Sequence, residues 1–427
     1  MNIFCSGIGG IGLSAYAAYQ QASGHTVSGS DRAETPLTAD LTKQGIAVSS
    51  EQNGSAIPEG TDLFVYTLAV AEDHPERECA KKLGIPQQTY FEALGDLIRS
   101  SGKTLIAVCG THGKSSTTAM AAKMLMEGGK DPSVVVGTKT KDLGGRNWRK
   151  GAGENFLVEA CEYHRSFLHL SPEIILLTNA DGDHFDAFRD MKDYESAFKE
   201  FIQKMPSNAI LITHVSDTNL HGILEVAAGK GIRIIDADAF SAPKVGVPGK
   251  HMQQNAVLIL ALAELLGLQN AEKSLAAYSG SWRRMEVKGE TPEGVLVMDD
   301  YGHHPTEVRA TLNALREGYP ERRIVCVFQP HTHDRTKKLY GDFLTAFSDA
   351  DILVIPNIYD ARPKEGEERV DVSTFIADIA KTSGIEAFNG ESLEATSRLL
   401  QERIMQRGDL LVTMGAGDVG KVAEMLL

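Results

Sequence analysis

Short runs of β-branched and aliphatic residues alternate with helical patterns along most of the sequence. The clearest runs are NIFCS, HTVSG, DLFVYT, TLIAVC, NFLVEA, EIILLT, AILIT, IRII, GVLVMD, RIVCVF, DILVI and DLLVTM. Strands that alternate with helices form parallel sheets whose faces are covered by those helices. One sheet with so many strands would be unusual, so the pattern predicts an α/β protein whose strands are divided among domains.

Two polar stretches indicate where the domains are separated. The segment IRSSGK (98–103) lies between a helical pattern and a new strand, and SGSWRRMEVKGETPEG (279–294) separates a helical pattern from the strand VLVMD. We therefore predict three α/β domains, over residues 1–101, 102–284 and 285–427.

The overall charge limits the partners that the chain can bind. A formal charge of −14 over 427 residues disfavours nonspecific binding to nucleic acid or to an anionic membrane surface, because both would be repelled. No apolar run approaches the ~20 residues of a membrane span. The five cysteines form no C-x-x-C pair, which is typical of buried, reduced thiols. We expect a cytoplasmic protein without nucleic-acid or membrane partners.

The most specific stretch is TLIAVCGTHGKSSTTAM (104–120), where an apolar strand runs through a glycine-containing turn into a helical pattern. We call its residues 110–115 the phosphate loop. Backbone N–H groups at such a helix N-terminus bind anions, Lys114 adds a positive charge, and Ser115 can bind Mg²⁺. The strict phosphate-binding pattern requires glycine at position 108, where this chain has Val108. The shorter variant still predicts an ATP site.

Acidic and polar residues follow the next two apolar runs. Glu159 and Glu162 follow FLV, and the segment NADGDHFD (179–186), which includes His184, follows IILLT. The carboxyl ends of neighbouring parallel strands face the same crevice. Carboxylate oxygens and an imidazole beside an ATP site would suit Mg²⁺, although such acids can also be solvated turn residues.

Two later strands end in similar clusters. Asp300, Tyr301 and His303 follow VLVMD, and Arg335 lies in HTHDRT after RIVCVF. Zinc is disfavoured because no cysteine joins the histidines and no H-E-x-x-H motif is present. The cluster favours a polar wall where Arg335 binds a substrate carboxylate and a neutral histidine helps to deprotonate an amine. The alternative is a set of helix caps, since HHPTEV is typical of a helix start.

The spacing G-x-G-x-x-G occurs twice after an apolar strand. The first copy, which we call the glycine turn (residues 7–12), is followed by Asp31 at a distance typical of a ribose-binding carboxylate. Alone it suggests an NAD-dependent oxidoreductase, but it could equally bind another diphosphate. The second copy, the C-terminal glycine turn (residues 415–420), favours tight strand-to-helix packing over a cofactor.

The motifs taken together carry a family resemblance. In chain order they are GIGGIGLS, SGSD, GTHGKSSTTAM, NADGDHFD, SWRRME, DDYGHHPTEV, HTHDRT and GAGDVGK. Over nearly its whole length the chain resembles the Mur ligases of peptidoglycan synthesis, and DDYGHHPTEV most resembles the member that uses L-alanine. The resemblance implies a Rossmann-like UDP-sugar domain, a central phosphate-loop ATPase domain with a parallel or mixed sheet, and a Rossmann-like C-terminal domain that binds the amino acid.

The same resemblance implies a reaction and a set of site residues. ATP with Mg²⁺ would phosphorylate the carboxylate of UDP-N-acetylmuramate, and L-alanine would attack the acyl phosphate, giving the amide, ADP and phosphate. The catalytic residues implied are Lys114, His184, Arg284, Asp300, His303 and Arg335. Nucleotide contacts are Gly110, Thr111, His112, Gly113, Lys114, Ser115, Ser116, Asn255 and Asp300, and the metal ligands are Ser115, Glu159 and His184. Substrate contacts are Gly9, Gly10, Ile11, Gly12, Ser30, Asp31, Tyr301, His303 and Arg335.

Several departures from the family pattern leave alternatives open. Met252 in GKHMQQN replaces an asparagine that the family uses near the nucleotide, the stretch between His184 and Gly249 is short, and VEACEYHRS leaves the role of Glu162 open. A recycling ligase that joins a tripeptide to the same sugar nucleotide is the alternative within the family. We expect a monomer or a weak homodimer.

Overall fold

A computed structural model describes residues 1–183, 187–360 and 369–427. The chain forms two compact units, one made of residues 1–244 and 254–278, the other of residues 245–253 and 279–427. The first unit contains two β-sheets and the second contains one. Among the described residues, no helix is both long enough and apolar enough to cross a membrane.

The first sheet of the first unit is parallel, with strand order β3-β2-β1-β4-β5. Its strands are β1 Asn2–Ser6, β2 Thr26–Ser30, β3 Ala47–Ser49, β4 Leu63–Tyr66 and β5 Gln87–Thr89. The helices of this part are α1 Ile11–Ala22, α2 Pro36–Lys43, α3 Pro75–Lys82 and α4 Tyr90–Ser101. The helix α4 begins at a capping box, in which the Thr89 side chain and Glu92 each accept the other's backbone N–H, and it ends at Gly102 in the left-handed conformation.

The second sheet has the order β12-β11-β10-β6-β9-β7-β8. Its strands are β6 Thr104–Cys109, β7 Ser133–Thr140, β8 Arg146–Arg149, β9 Asn155–Glu159, β10 Ile174–Leu177, β11 Ile210–Thr213 and β12 Arg233–Asp236. The helices that accompany it are α5 Lys114–Glu127, α6 Met191–Lys204, α7 His221–Gly229, α8 Lys250–Leu265 and α9 Ala271–Ala276. A short 3₁₀ segment, Tyr163–His169, follows β9.

One hydrophobic core spans both sheets of the first unit. The ring of Tyr19 in α1 lies 6.3 Å from Trp148 and 5.5 Å from Phe156, both in the second sheet. Its hydroxyl lies 3.0 Å from Ser133 Oγ. Asn147 Nδ2 donates to the Ile11 carbonyl at the first turn of α1 (2.7 Å). The sequence predicted two separate domains here, and the structure shows that they share apolar packing and polar contacts.

The single sheet of the second unit has the order β13-β14-β18-β15-β16-β17. Its strands are β13 Glu286–Glu290, β14 Leu296–Asp300, β15 Ile324–Phe328, β16 Ile352–Ile355, β17 Glu386–Asn389 and β18 Leu410–Met414. The helices are α10 Pro305–Gly318, α11 His333–Lys338, α12 Tyr340–Phe343, α13 Val372–Ser383, α14 Leu393–Leu399 and α15 Gly420–Leu426.

The predicted α/β class is confirmed, but the sheets are not purely parallel. The edge strands β8 and β13 pair antiparallel with β7 and β14, whereas the other pairs in the described sheets are parallel. Both edge strands are rich in polar residues, so neither was recognised as a strand from the sequence. Cys5, Cys109 and Cys326 are buried as expected of thiols in strands, but Cys79 and Cys161 are partly exposed.

Candidate active site

The phosphate loop joins the buried strand β6 to α5, and two of its positions accept only glycine. Gly110 has φ +134°, and a Cβ there would lie 2.1 Å from Thr178 Oγ1. Gly113 has φ +80°, and a Cβ there would lie 2.6 Å from Asn255 Oδ1. The loop therefore passes close to the end of β10 and to α8. The N–H groups in the first turn of α5 have no partner within the helix, which is the geometry that binds phosphate.

The end of β10 holds the loop in shape. The Thr111 N–H donates to the Asn179 carbonyl (3.2 Å), and the His112 N–H donates to Asn179 Oδ1 (2.9 Å). The Thr178 hydroxyl donates to the carbonyl of His112 (2.7 Å). These bonds fix the backbone of Thr111 and His112 before any ligand is bound.

Lys114 forms a buried ion pair that the sequence did not predict. Its Nζ donates to the Thr111 carbonyl (2.8 Å) and lies 3.1 Å from Glu162 Oε1. Glu162 is completely buried, and the Tyr194 hydroxyl donates to the same oxygen (3.4 Å). Burial alone would lower the pKa of Lys114, but the neighbouring carboxylates, above all Glu162, outweigh it and raise the pKa. Glu162, whose role was left open, therefore keeps the lysine charged.

Ser115 and Glu159 lie side by side at the start of α5. The Ser115 hydroxyl donates to Glu159 Oε1 (2.9 Å), and the Gly137 N–H donates to Glu159 Oε2 (2.7 Å). A hydroxyl beside a carboxylate next to a phosphate loop is the donor set that Mg²⁺ prefers, so these residues fit the metal. Ser116 is buried in the same helical turn. The third predicted ligand, His184, lies outside the described residues.

The glycine turn is closed by its own polar contacts. The N–H groups of Gly7 and Ile8 both donate to the Ser30 carbonyl, at 2.9 and 3.0 Å. The Gly9 N–H donates to Asp31 Oδ2 (2.8 Å), so this carboxylate braces the turn. The Ser30 hydroxyl is buried and donates to Glu76 Oε2 (2.8 Å). Gly10 precedes α1 as its N-cap, and Ile11 and Gly12 begin the helix, so first-turn N–H groups are available for a diphosphate.

In the second unit, Asp300 and Arg284 belong to one polar cluster. Asp300 is buried, and its oxygens accept the N–H groups of Met285 (2.8 Å) and Gly302 (2.7 Å). Burial raises the pKa of Asp300 although Arg284 opposes the shift. The Arg284 guanidinium lies 5.0 Å from the centre of the Tyr301 ring and 3.9 Å from Glu307 Oε1.

The other residues predicted to bind the amino acid are only partly brought together. His303 Nδ1 lies 3.1 Å from the Tyr301 carbonyl, and the His303 ring lies 5.8 Å from the His331 ring. Arg335 lies in the first turn of α11, whose N-cap is Thr332. The structure therefore joins Tyr301, His303 and His331 in one cluster, and places Arg335 on the adjoining helix.

The C-terminal glycine turn is tightly packed, as the sequence favoured. Arg283 donates to the carbonyls of Gly415 (2.6 Å) and Gly417 (2.9 Å). A Cβ at Gly415 would lie 2.5 Å from the Gln329 carbonyl oxygen. The Val419 N–H donates to Gln329 Oε1 (3.1 Å). The glycines therefore serve contacts within the protein.

Sequence reasoning missed several residues that shape these sites. Gly137 interrupts the apolar strand β7, and an isolated glycine in a strand is a sign of close approach that could have been used. His251 lies near Asp300 and Glu307, and burial lowers its pKa more than these carboxylates raise it. Tyr194 had no recognisable signal, because its contact with Thr111 joins residues far apart in the sequence.

Fold and site together define a nucleotide-binding α/β protein with a phosphate loop in its first unit. Three domain profiles match the chain: the Mur ligase family catalytic domain over residues 3–101, the Mur ligase middle domain over 108–245, and the Mur ligase glutamate ligase domain over 283–417. The chain therefore belongs to the Mur ligase family, as its motifs predicted.

Full-length relatives and solved structures agree with this assignment. A UDP-N-acetylmuramate–L-alanine ligase of Lachnospira eligens is 36% identical over 100% of this chain and 98% of its own length. A protein of the same name from Agathobacter rectalis is 37% identical with the same coverage. The crystal structure of UDP-N-acetylmuramate–alanine ligase from Thermotoga maritima has a TM-score of 0.84, 28% identity, and coverage of 100% and 98%. A murein peptide ligase from Psychrobacter arcticus shares the fold, with a TM-score of 0.74, 22% identity and the same coverage.

Proposed function

We propose that the protein joins L-alanine to UDP-N-acetylmuramate through an acyl-phosphate intermediate, with conversion of ATP to ADP and phosphate, in the synthesis of peptidoglycan precursors. The observation that carries this proposal is the similarity to relatives of that name, at 36–37% identity over the whole chain. The phosphate loop supports the proposal because it provides a site for ATP. A carboxylate is a poor acyl donor until it is phosphorylated, so an ATP site is what amide formation from it requires.

The residues in and beside the phosphate loop are proposed to have different roles in binding ATP. Lys114, held charged by Glu162, would stabilise negative charge on the transferred phosphoryl group, and the N–H groups of the loop and of α5 would bind phosphate oxygens. Ser115 and Glu159 would hold Mg²⁺, with His184 proposed as a third ligand. When bound, the ion neutralises charge on the phosphates.

The two substrates are assigned to different groups of residues. We propose that the diphosphate of UDP-N-acetylmuramate binds at the glycine turn, through Gly9, Gly10, Ile11 and Gly12, with Asp31 and Ser30 shaping that site. Tyr301, His303 and Arg335 are the proposed contacts of L-alanine, and Arg284, Asp300 and Asn255 are proposed to act on the nucleotide.

Phosphate release by the purified protein tests the proposal. With ATP, Mg²⁺ and UDP-N-acetylmuramate present, L-alanine is expected to stimulate release strongly, and glycine, L-serine and L-glutamate much less. Stimulation by the murein tripeptide but not by L-alanine would identify a peptide-recycling ligase instead. Dependence on Mg²⁺ is checked by adding EDTA and then restoring the metal.

We also propose the domain boundaries 1–101, 102–284 and 285–427; the three family matches, over residues 3–101, 108–245 and 283–417, support the division into three domains. The protein is proposed to be a monomer or a weak homodimer. Light scattering coupled to size exclusion, at concentrations from 1 to 100 times that used for activity, should give a mass near 46.2 kDa at the dilute end. A stable higher mass at every concentration would contradict this.

A further inference from the structure

Tyr90 is a tyrosine beside the glycine turn that neither the motifs nor the proposed reaction has used. It is the first residue of α4. A Cβ added at Gly12 would lie 2.7 Å from Tyr90 Cε1 and 3.1 Å from its hydroxyl oxygen. Because Gly12 lies in the first turn of α1, the Tyr90 hydroxyl lies beside the helix N-terminus where a diphosphate is proposed to bind.

The same helix also reaches the segment that follows Glu159. A Cβ at Gly95 of α4 would lie 2.4 Å from the carbonyl oxygen of His169, and Arg99 Nη1 donates to that oxygen (3.1 Å). Burial raises the pKa of the Tyr90 phenol, and the nearby Glu159 carboxylate raises it further. The Tyr90 phenol, which contacts the glycine turn at Gly12, therefore keeps its proton.

The Tyr90 hydroxyl has no hydrogen-bond partner among the described residues, unlike the tyrosines around it. Tyr16, whose ring lies 6.5 Å away in a T-shaped arrangement, accepts a bond from Gln20 Nε2 (2.9 Å). The hydroxyl of Tyr19 pairs with Ser133 Oγ. Tyr90 as a whole is partly exposed, and a hydroxyl without a partner in the described part of the chain can take a ligand as its hydrogen-bond acceptor.

We propose that Tyr90 is a binding residue for the sugar nucleotide, whose hydroxyl donates a hydrogen bond to an anionic oxygen of UDP-N-acetylmuramate. This inference rests on the proposed function. The substrate carries anionic oxygens on its diphosphate and on its muramyl carboxylate. A neutral donor beside the glycine turn can bind an oxygen of either group, and it contributes no charge of its own.

The test is the substitution Tyr90→Phe, which removes only the hydroxyl and keeps the ring packed against Gly12. We expect the Kd for UDP-N-acetylmuramate, measured calorimetrically without ATP, to rise about tenfold, since a hydrogen bond to a charged group is lost. The KM for this substrate should rise similarly, while the KM values for ATP and L-alanine change by less than about twofold. Titration with UDP identifies the oxygen that Tyr90 binds. If Tyr90→Phe weakens UDP binding by a similar factor, the oxygen belongs to the diphosphate. If the affinity for UDP is unchanged, the oxygen belongs to the muramyl carboxylate.

The matched control is Tyr16→Phe, which removes a hydroxyl from the same aromatic cluster but one that is already bonded within the protein. It should leave the Kd for the sugar nucleotide unchanged, even if the melting temperature falls. The inference about Tyr90 would be overturned if Tyr90→Phe bound the sugar nucleotide as tightly as the wild type. It would also be overturned if Tyr90→Phe and Tyr16→Phe lost the same affinity. Neither result would contradict the proposed function. Failure of the wild type to bind UDP-N-acetylmuramate would overturn the proposed function as well.

Discussion

At the scale of single residues, the charged groups in and beside the phosphate loop are held in position by contacts within the protein. The Lys114 ammonium group is oriented by a hydrogen bond to a backbone carbonyl and by its ion pair with Glu162. The Glu159 carboxylate is oriented by hydrogen bonds from Ser115 and Gly137. Because such groups need little reorganisation when charge develops nearby, their positions favour phosphoryl transfer. The contacts that fix these side chains should therefore matter as much as the side chains themselves.

Replacing Lys114 with alanine removes the lysine ammonium group of the phosphate loop. We expect kcat/KM for ATP to fall by about 10²-fold or more, because one electrostatic donor to a transition state typically contributes that much. The control is Lys82→Ala, since Lys82 is exposed and pairs only loosely with Glu78 (3.9 Å). Turnover of Lys114→Ala within tenfold of the wild type would contradict the phosphate role.

Gly137→Ala tests whether the position of Glu159 matters for the metal. A Cβ at Gly137 would lie 2.7 Å from Glu159 Oε1 and 2.8 Å from Oε2, so the carboxylate must move away from Ser115. We expect the Mg²⁺ concentration for half-maximal activity to rise about tenfold, and binding of Mn²⁺ to the ADP complex, followed by electron paramagnetic resonance, to weaken similarly. Gly229→Ala, where a Cβ would contact nothing within 4 Å, should change neither quantity. Unchanged metal binding in Gly137→Ala would contradict this arrangement.

At the scale of elements, the sequence revealed the central strands far better than the edges. The buried runs of β6, β10 and β15 contain four or more consecutive apolar residues and were recognised at once. Short edge strands such as β3 and β5 have three residues each and no apolar run, so their pairing depends on neighbouring strands. Because the carboxyl ends of neighbouring parallel strands face the same crevice, the sequence predicted that Glu159 lies near the phosphate loop. Contacts such as that of Tyr194 with Glu162 arise only from tertiary packing.

The buried ion pair between Glu162, which follows β9, and Lys114 of the phosphate loop should contribute to stability. Glu162→Ala would leave the Lys114 ammonium largely buried without its carboxylate, and removing one partner of a buried pair costs about 3–5 kcal/mol. The exposed pair of Glu78 and Lys82 provides the control, for which Glu78→Ala should cost less than about 1 kcal/mol. Urea denaturation measures both free energies of unfolding. Should Glu162→Ala not fold, Glu162→Gln, which keeps a hydrogen-bond acceptor, should show a smaller loss. Equal stabilities of the two alanine variants would contradict the role of the pair.

At the scale of the whole molecule, the sharing of one core by two sheets was the feature least visible in the sequence. The contacts that create it join α1 to β7 and β8, more than a hundred residues away. Residues 98–103 lie between β5 of the first sheet and β6 of the second, but this polar stretch gives no information about how the two sheets pack together. Only the structure shows that the glycine turn and the phosphate loop belong to one compact unit.

This shared core predicts how ligands should stabilise the protein. UDP-N-acetylmuramate and Mg·ADP, each at about 100 times its Kd, should raise the melting temperature of the same calorimetric transition. The stabilisation from such binding is about 2.7 kcal/mol, which corresponds to a few degrees for a unit of this size. In Lys114→Ala the shift with Mg·ADP should shrink while that with the sugar nucleotide remains. Two separate transitions, each raised by one ligand alone, would show that the two sheets unfold independently despite the packing of Tyr19 against Trp148 and Phe156.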